Sequence, residues 1–289
     1  MESIIIDHDR CIHCGMCSNV CVRKVIDDSE DILKLRDMEC ISCGHCKAAC
    51  PEDAIEIPDL YAEEFIPFSR VPDFTSPEKL LTFFRARRST RIYKETPVEK
   101  DTIEQIIEAG RFAPTGGNRQ PLRYVASNSL EKIDEIRTLT FDSLLKQVDQ
   151  MVNPTKSKSN TDAAPSVVYR TMLDYAELIK DMARACDKGV DRLLWHAPAL
   201  IAIHASKEVE SPEIEAGLCA MQMVLMAEAL GLGTCFIGFI NMASDNSPEL
   251  KKVMQIPDHH RVITAFVAGY PDVNYYRLVS RKPAQVRWM

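Results

Sequence analysis

The stretch CISCGHCKAACP, residues 40–51, sets four cysteines at the spacing C-x-x-C-x-x-C-x-x-x-C and closes on a proline. The same spacing occurs in CIHCGMCSNVC at 11–21, beginning 29 residues earlier, and the two runs hold eight of the chain's eleven cysteines. Disulfides, zinc and iron-sulfur clusters compete for such a repeat. The start MESIIIDHDR has no basic flank followed by an apolar stretch, so a cytoplasmic protein is expected, and a reducing compartment disfavours disulfides. Structural zinc draws paired C-x-x-C knuckles, and a third and fourth cysteine in each run exceed what one tetrahedral ion needs. Iron-sulfur clusters lead, with Gly15 and Gly44 letting backbone amides approach the cluster sulfurs.

The run that ends Cys50-Pro51 resembles the two-cluster bacterial ferredoxins, in which three cysteines of a run hold one cubane and the fourth crosses to the other. The resemblance implies one 4Fe-4S cluster on Cys11, Cys14, Cys17 and Cys50, and a second on Cys40, Cys43, Cys46 and Cys21. Val22 stands where the first run would carry its proline, which removes no ligand. His13 and His45 lie inside runs already complete without them and read as polar surface side chains.

Outward from the repeat, the composition is that of a globular protein: 289 residues, 46% apolar and 27% charged. The net charge of −7 resides entirely in residues 1–60, which hold 13 acids and 6 bases. Nucleic acid is an unexpected partner for such a chain, and Gln222 and Glu228 interrupt its most apolar segment, so no membrane span is expected. Residues 1–57 form one domain, 58–75 a proline-containing linker without periodicity, and 76–289 a second domain.

In that second domain Ser-Pro-Glu recurs at 76, 211 and 247, each time marking a helix start through an N-cap hydroxyl and a proline in the first turn. Asp101–Glu104 resembles a capping box for a further helix. Periodicity predicts helices over 130–150 and 166–188, joined by the polar stretch NPTKSKSNTDAA, and a helix over 213–230 that is apolar on nearly every face. Strands are predicted at 123–127, 199–204, 234–240 and 261–268, giving an α+β fold. Cys186, Cys219 and Cys235 fall in apolar contexts and read as core residues, Cys235 being kept in reserve; Trp195, His196 and His204 read as satisfied buried side chains.

Clusters of this kind pass single electrons, so organic two-electron chemistry calls for a flavin, and no G-x-G-x-x-G or Walker sequence offers a nucleotide fold. RARRSTR at 85–91 supplies forked donors for a phosphate, and APTGGNRQP at 113–121 a glycine turn with amides able to meet a flat heterocycle. With GLGTCFIG at 231–238, these pieces resemble, in order, the motifs of the FMN-dependent nitroreductase family, from about residue 76 to the end. The resemblance implies a central, mostly antiparallel sheet with long helices and an intertwined homodimer with FMN at its interface. By position it assigns Arg87, Arg88, Ser89, Arg91 and Arg281 to the phosphate and ribityl chain. Pro114, Thr115, Gly116, Asn118 and Gln120 would approach from the partner subunit, and the amides of Ile237 and Gly238 would lie near the reactive ring edge. No side-chain acid, base or nucleophile is required. The leading expectation is an FMN-dependent oxidoreductase with a built-in iron-sulfur relay that reduces a nitroaromatic or quinone. Alternatives are a ferredoxin and NAD(P)H electron exchanger, or a non-catalytic carrier or redox sensor.

Overall fold

Each cysteine run forms a loop that turns through a left-handed glycine into a five-residue helix. Gly15 (φ 71°) leads into α1, Met16–Val20, and Gly44 (φ 75°) into α2, His45–Ala49. A side chain is strained at a positive φ, and at Gly44 a Cβ would also come within 3.3 Å of the Phe65 ring. Both helices end on the fourth cysteine of their run: the Cys21 N–H donates to Ser18 O and the Cys50 N–H to Lys47 O. The internal repeat of the sequence is thus a repeat of backbone conformation.

The computed structural model describes residues 3–67, 76–152 and 167–289, and the chain divides into two units. The first is drawn from Met1–Thr75 and Thr115–Gln120, the second from Ser76–Pro114 and Pro121–Met289. The polar stretch 153–164 and much of the expected linker lie outside the described residues.

In the first unit, β1 (Ile5–Ile6) pairs antiparallel with β4 (Ile55–Glu56), and β2 (Ile26–Asp27) with β3 (Lys34–Leu35). Ile26 and Ile55 of these strands, with Ile4, Val25, Leu33 and Ile57 next to them in sequence, form a core with Cys17 and Cys46. The core is small, so covalent or metal staples are what such a unit requires for stability.

The second unit is built on a four-stranded antiparallel sheet in the order β5 (Arg123–Ser127), β6 (Ala199–Ser206), β8 (His260–Gly269), β7 (Gly233–Phe236). Along β6 the side chains alternate between two cores: Leu200 and Ala202 point into one, Ile201 and Ile203 into the other. The first core is completed by α5 (Leu130–Val152), α6 (Val167–Cys186), α8 (Gly238–Ser244) and α9 (Pro248–Val253). The second is completed by α4 (Lys100–Arg111) and α7 (Pro212–Ala229). Each fully buried Leu or Ile contributes about 1.5–3 kcal/mol. A helix-covered sheet of this kind is the α+β architecture expected.

The helix starts follow the sequence unevenly. Ser76 caps α3 (Pro77–Ala86) by accepting from Lys79 N, and Ser247 caps α9 by accepting from Leu250 N. Ser211 does not cap: it is left-handed (φ 53°) and its hydroxyl makes no cap bond, so Pro212 alone fixes the start of α7. The expected box at Asp101–Glu104 is also absent, because α4 begins at Lys100 behind Glu99, which makes no side-chain cap bond. Gly110 matters through packing, since a Cβ there would lie 2.6 Å from Met223 Cγ and push α4 off α7.

The predicted strand 234–240 divides in two. β7 stops at Phe236 and α8 begins at Gly238, with Ile240 and Ala243 buried at helical spacing. An unbroken apolar run carries no period that tells strand from helix.

Candidate functional site

The eight repeated cysteines line two cavities. One is bordered by Cys11, Cys14, Cys17 and Cys50. The other is bordered by Cys21, Cys40, Cys43 and Cys46. The fourth cysteine of each run therefore faces the cavity of the opposite run. Backbone donors reach three of these sulfurs: Val25 N to Cys21 Sγ at 3.3 Å, Ala54 N to Cys50 Sγ at 3.2 Å, and Ser42 N to Cys40 Sγ at 3.4 Å.

Burial pushes the Cys17 thiol up and that of Cys46 up to about 11, so in the free chain these thiols hold their protons until a cation displaces them. Among the described residues no three His, Cys, Asp or Glu side chains converge as a single ion demands. Four sulfurs spread around a cavity, with N–H groups aimed at them, suit a multi-iron cluster better than a zinc ion that needs ligands at about 2.3 Å. His13 and His45 are exposed, as their reading as surface side chains requires.

In the second unit, the segment after α3 runs beside β7. Ser89 bridges Thr234 in parallel, and Thr90 N donates to Thr234 O at 2.9 Å. Thr90 is buried against Gly233, where a Cβ would come within 2.6 Å of Thr90 Cβ. This pairing fixes the arginines that flank it. Arg87 Nε is buried without a hydrogen-bond partner, and Arg91 lies over the Trp195 ring, 5.5 Å from its centroid.

The buried Cys235 thiol is raised by desolvation, while Arg91, Ser89 and Arg87 pull in the opposite direction. Glu228 is likewise raised by burial and faces Arg87. A half-buried guanidinium with an orphaned N–H beside Ser89 keeps an unused donor, and a phosphate supplies acceptors of matching charge and geometry.

The other expected site residues are distributed as follows. Thr115–Gln120 belongs to the first unit, where Asn118 Nδ2 donates to the carbonyls of Ile41 and Ser42, both at 3.0 Å, and Asn118 Oδ1 accepts from Gln120 Nε2 at 3.3 Å. Pro114 belongs to the second unit. Ile237 N already donates to Ala265 O at 2.8 Å, so its amide is engaged in the fold, whereas Gly238 opens α8, where an amide has no acceptor within the helix. Arg281 lies in the extended segment after β8 with its guanidinium on Ser280 O.

Two expectations about the buried side chains change. His196 is exposed and Trp195 half-buried, both in left-handed conformation. They close a turn organised by buried Asp191, whose carboxylate accepts from the backbone N–H groups of Leu193, Leu194 and His196. Thr90, Thr234, Trp195 and Glu228 are the neighbours that the sequence reading missed. Thr234, Trp195 and Glu228 come to this segment through space, with no local spacing to announce it, and Thr90, inside the arginine run itself, is singled out only by its burial against Gly233.

Comparison with known proteins follows the same division. The model of the nitroreductase family matches residues 84–270, and that of the 4Fe-4S dicluster domain matches residues 3–51. A protein of Archaeoglobus fulgidus, provisionally named NADH dehydrogenase/NAD(P)H nitroreductase, is 30% identical over 208 residues, covering 71% of this chain and 93% of its own length. A 4-nitrobenzoate reductase of a Nocardioides species is 25% identical over 214 residues, covering 66% of this chain and 80% of its own. Among solved structures, an FMN-bound nitroreductase of Bacteroides fragilis shares the fold with a TM-score of 0.51 at 20% identity, covering 73% of this chain and 96% of that one.

Proposed function

This chain belongs to the nitroreductase family and carries a 4Fe-4S dicluster domain ahead of the family domain, and on that footing we propose that it is an FMN-dependent oxidoreductase whose clusters relay single electrons to a small organic acceptor. The observation that carries the reading is the orphaned, buried Arg87 Nε in an arginine cradle, in the same chain as two four-cysteine cavities. When bound, the flavin supplies an electron sink that accepts singly and delivers in pairs.

The chain's own residues do the holding. Arg87, Arg88, Ser89 and Arg91 bind the phosphate through charge-assisted bonds, fixed in place by the Ser89–Thr234 pairing. The eight cysteines bind the clusters in crossed sets. The Gly238 amide, at the start of α8, would offer a hydrogen-bond donor to the ring of a bound flavin. The turn from Pro114 to Gln120 serves the flavin of a partner subunit mainly through its backbone, because both amide hydrogens of Asn118 are engaged.

The acceptor class is a nitroaromatic or quinone, in keeping with the relative named 4-nitrobenzoate reductase, and NAD(P)H or a reduced ferredoxin is the donor. Among the described residues no helix is long and apolar enough to cross a membrane.

The test uses the full chain purified without oxygen. About eight irons, eight sulfides and one FMN per chain are expected, with acceptor reduction driven by NAD(P)H or reduced ferredoxin. Arg87→Ala removes a charged hydrogen bond and weakens FMN binding by about 1.5–3 kcal/mol, roughly 10- to 150-fold. Unchanged FMN affinity in that variant removes the phosphate assignment. A fully loaded protein that turns over no acceptor with either donor is a carrier rather than an enzyme.

A further inference from the structure

One peptide unit of the second cysteine run is bonded on both of its sides. Between Cys40 and Cys43, the Ser42 N–H donates to Cys40 Sγ at 3.4 Å, and the Ile41 carbonyl of the same peptide accepts from Asn118 Nδ2 at 3.0 Å. Asn118 Nδ2 also donates to Ser42 O at 3.0 Å. The loop is pinned further by Ser42 Oγ, which donates to Asp59 Oδ2 at 3.1 Å, and Ser42 itself is left-handed (φ 46°). The first run has no counterpart. Its Ile12–His13 loop is exposed, and among the described residues no side chain donates to either carbonyl.

We propose that Asn118 is a positioning residue that raises the reduction potential of the cluster held by Cys21, Cys40, Cys43 and Cys46. This rests on the reading that the first unit carries two 4Fe-4S clusters. Reduction adds one negative charge and no proton, and half-burial of Ile41, Ser42 and Cys43 disfavours that charge. Donors on the cluster sulfurs offset the penalty and are among the factors that set such potentials. A carbonyl that accepts a hydrogen bond polarises its peptide and makes the N–H on the other side a stronger donor, by perhaps ~10–30% per bond. Asn118 therefore acts on Cys40 Sγ through a peptide, from outside the ligand set. In exchange between the clusters one is oxidised by a single electron as the other is reduced by it, and the tuning biases that electron toward the second.

The experiment is an anaerobic EPR-monitored redox titration of the full chain, in wild type, Asn118→Leu and Asn118→Asp. The wild type gives two one-electron waves. In Asn118→Leu one wave is expected to move down by up to about tenfold in its reduced-to-oxidised ratio at fixed potential, about 59 mV for a one-electron couple, while the other stays. Asn118→Asp keeps the size, presents no amide donor, and moves the same wave down at least as far. Cys43→Ser, which alters one ligand set, identifies that wave as the second cluster's. Two waves that stay in place in both variants, or that move together, overturn the proposal. Iron and sulfide analysis keeps the failures apart: a wild type with far fewer than about eight irons per chain removes the two-cluster reading itself, whereas full loading with unmoved waves removes only the role of Asn118.

Discussion

His204 shows how one side chain ties this fold to pH. It is buried at the bulge in β6, and its Nδ1 lies 2.8 Å from Nδ1 of His260 on β8, so one ring must donate and the other accept. Burial, then His260 and then Arg123 on β5, hold His204 down to about 4, and burial, His259 and Arg123 lower His260. The folded chain thus favours the neutral rings, while the unfolded chain takes up protons near pH 6.5. Stability is full above that value and falls as the pH drops from about 6.5 through about 4. A shift of this size on a buried His corresponds to a loss of roughly 2–3 kcal/mol. Urea unfolding at pH 7.5 and 5.0 checks it, with His204→Phe as the partner. The variant is expected to lose clearly less stability between the two values than the wild type, and an equal loss in both assigns the acid sensitivity to other groups. Acid effects on the clusters are common to both proteins and cancel in the difference.

At the scale of elements, β7 and the segment at Ser89–Thr90 depend on an absent side chain. Gly233 leaves the space that the buried Thr90 fills, and Thr90 N in turn holds Thr234 O. Gly233→Ala drives a methyl into Thr90 with no flexible chain end to yield, an overpacking that costs about 1–3 kcal/mol. The movement passes to Ser89 and Arg87, so thermal unfolding should come earlier and FMN retention on gel filtration should fall together. A variant that unfolds earlier yet retains FMN like the wild type would separate the strand from the cradle.

The same elements show what a sequence discloses. The cysteine runs were legible because ligand spacing is local, helices α5 and α6 because apolar period is local, and α7 from Ser-Pro-Glu followed by a long apolar run rather than from a period. The break at Ile237 was not, since FIGFI is apolar throughout and only packing decides between strand and helix. Ser211 was misread for a related reason: its sequence matches the capping pattern of Ser76 and Ser247, but the tertiary path brings it in at φ 53°, where its hydroxyl makes no cap bond. The use of the Asn118 amide on Ile41 and Ser42 joins residues 77 and 76 positions apart, which no motif encodes.

At the scale of the whole molecule, two helices have apolar faces that nothing among the described residues covers. α3 buries none of its residues and exposes Leu80, Leu81 and Phe84, while α7, otherwise a core helix, exposes Ile214, Leu218, Met221 and Met226. On α7 Ile214, Leu218 and Met221 recur at intervals of four and three residues, which puts these three along one side of the helix, opposite Cys219 and Met223 on the face packed on α4. Continuous apolar surface of this kind marks an interface, and the expected occupant is a second copy of the chain, since an isologous contact presents the same face twice. Leu218→Glu with Met221→Glu places like charges on each copy where the two would meet, and repulsion joined to desolvation disfavours association by several kcal/mol. Neither residue belongs to the buried cores, so each chain is expected to fold. Sedimentation equilibrium should show a dimer for the wild type and a monomer for the variant. The consequence for the cofactor is sharper than the mass. If the turn from Pro114 to Gln120 completes the flavin site of the partner, the monomeric variant loses FMN while keeping its arginines and its irons; a monomer that binds FMN as tightly as the dimer means that the cradle of Arg87, Ser89 and Arg91 holds the flavin within one chain.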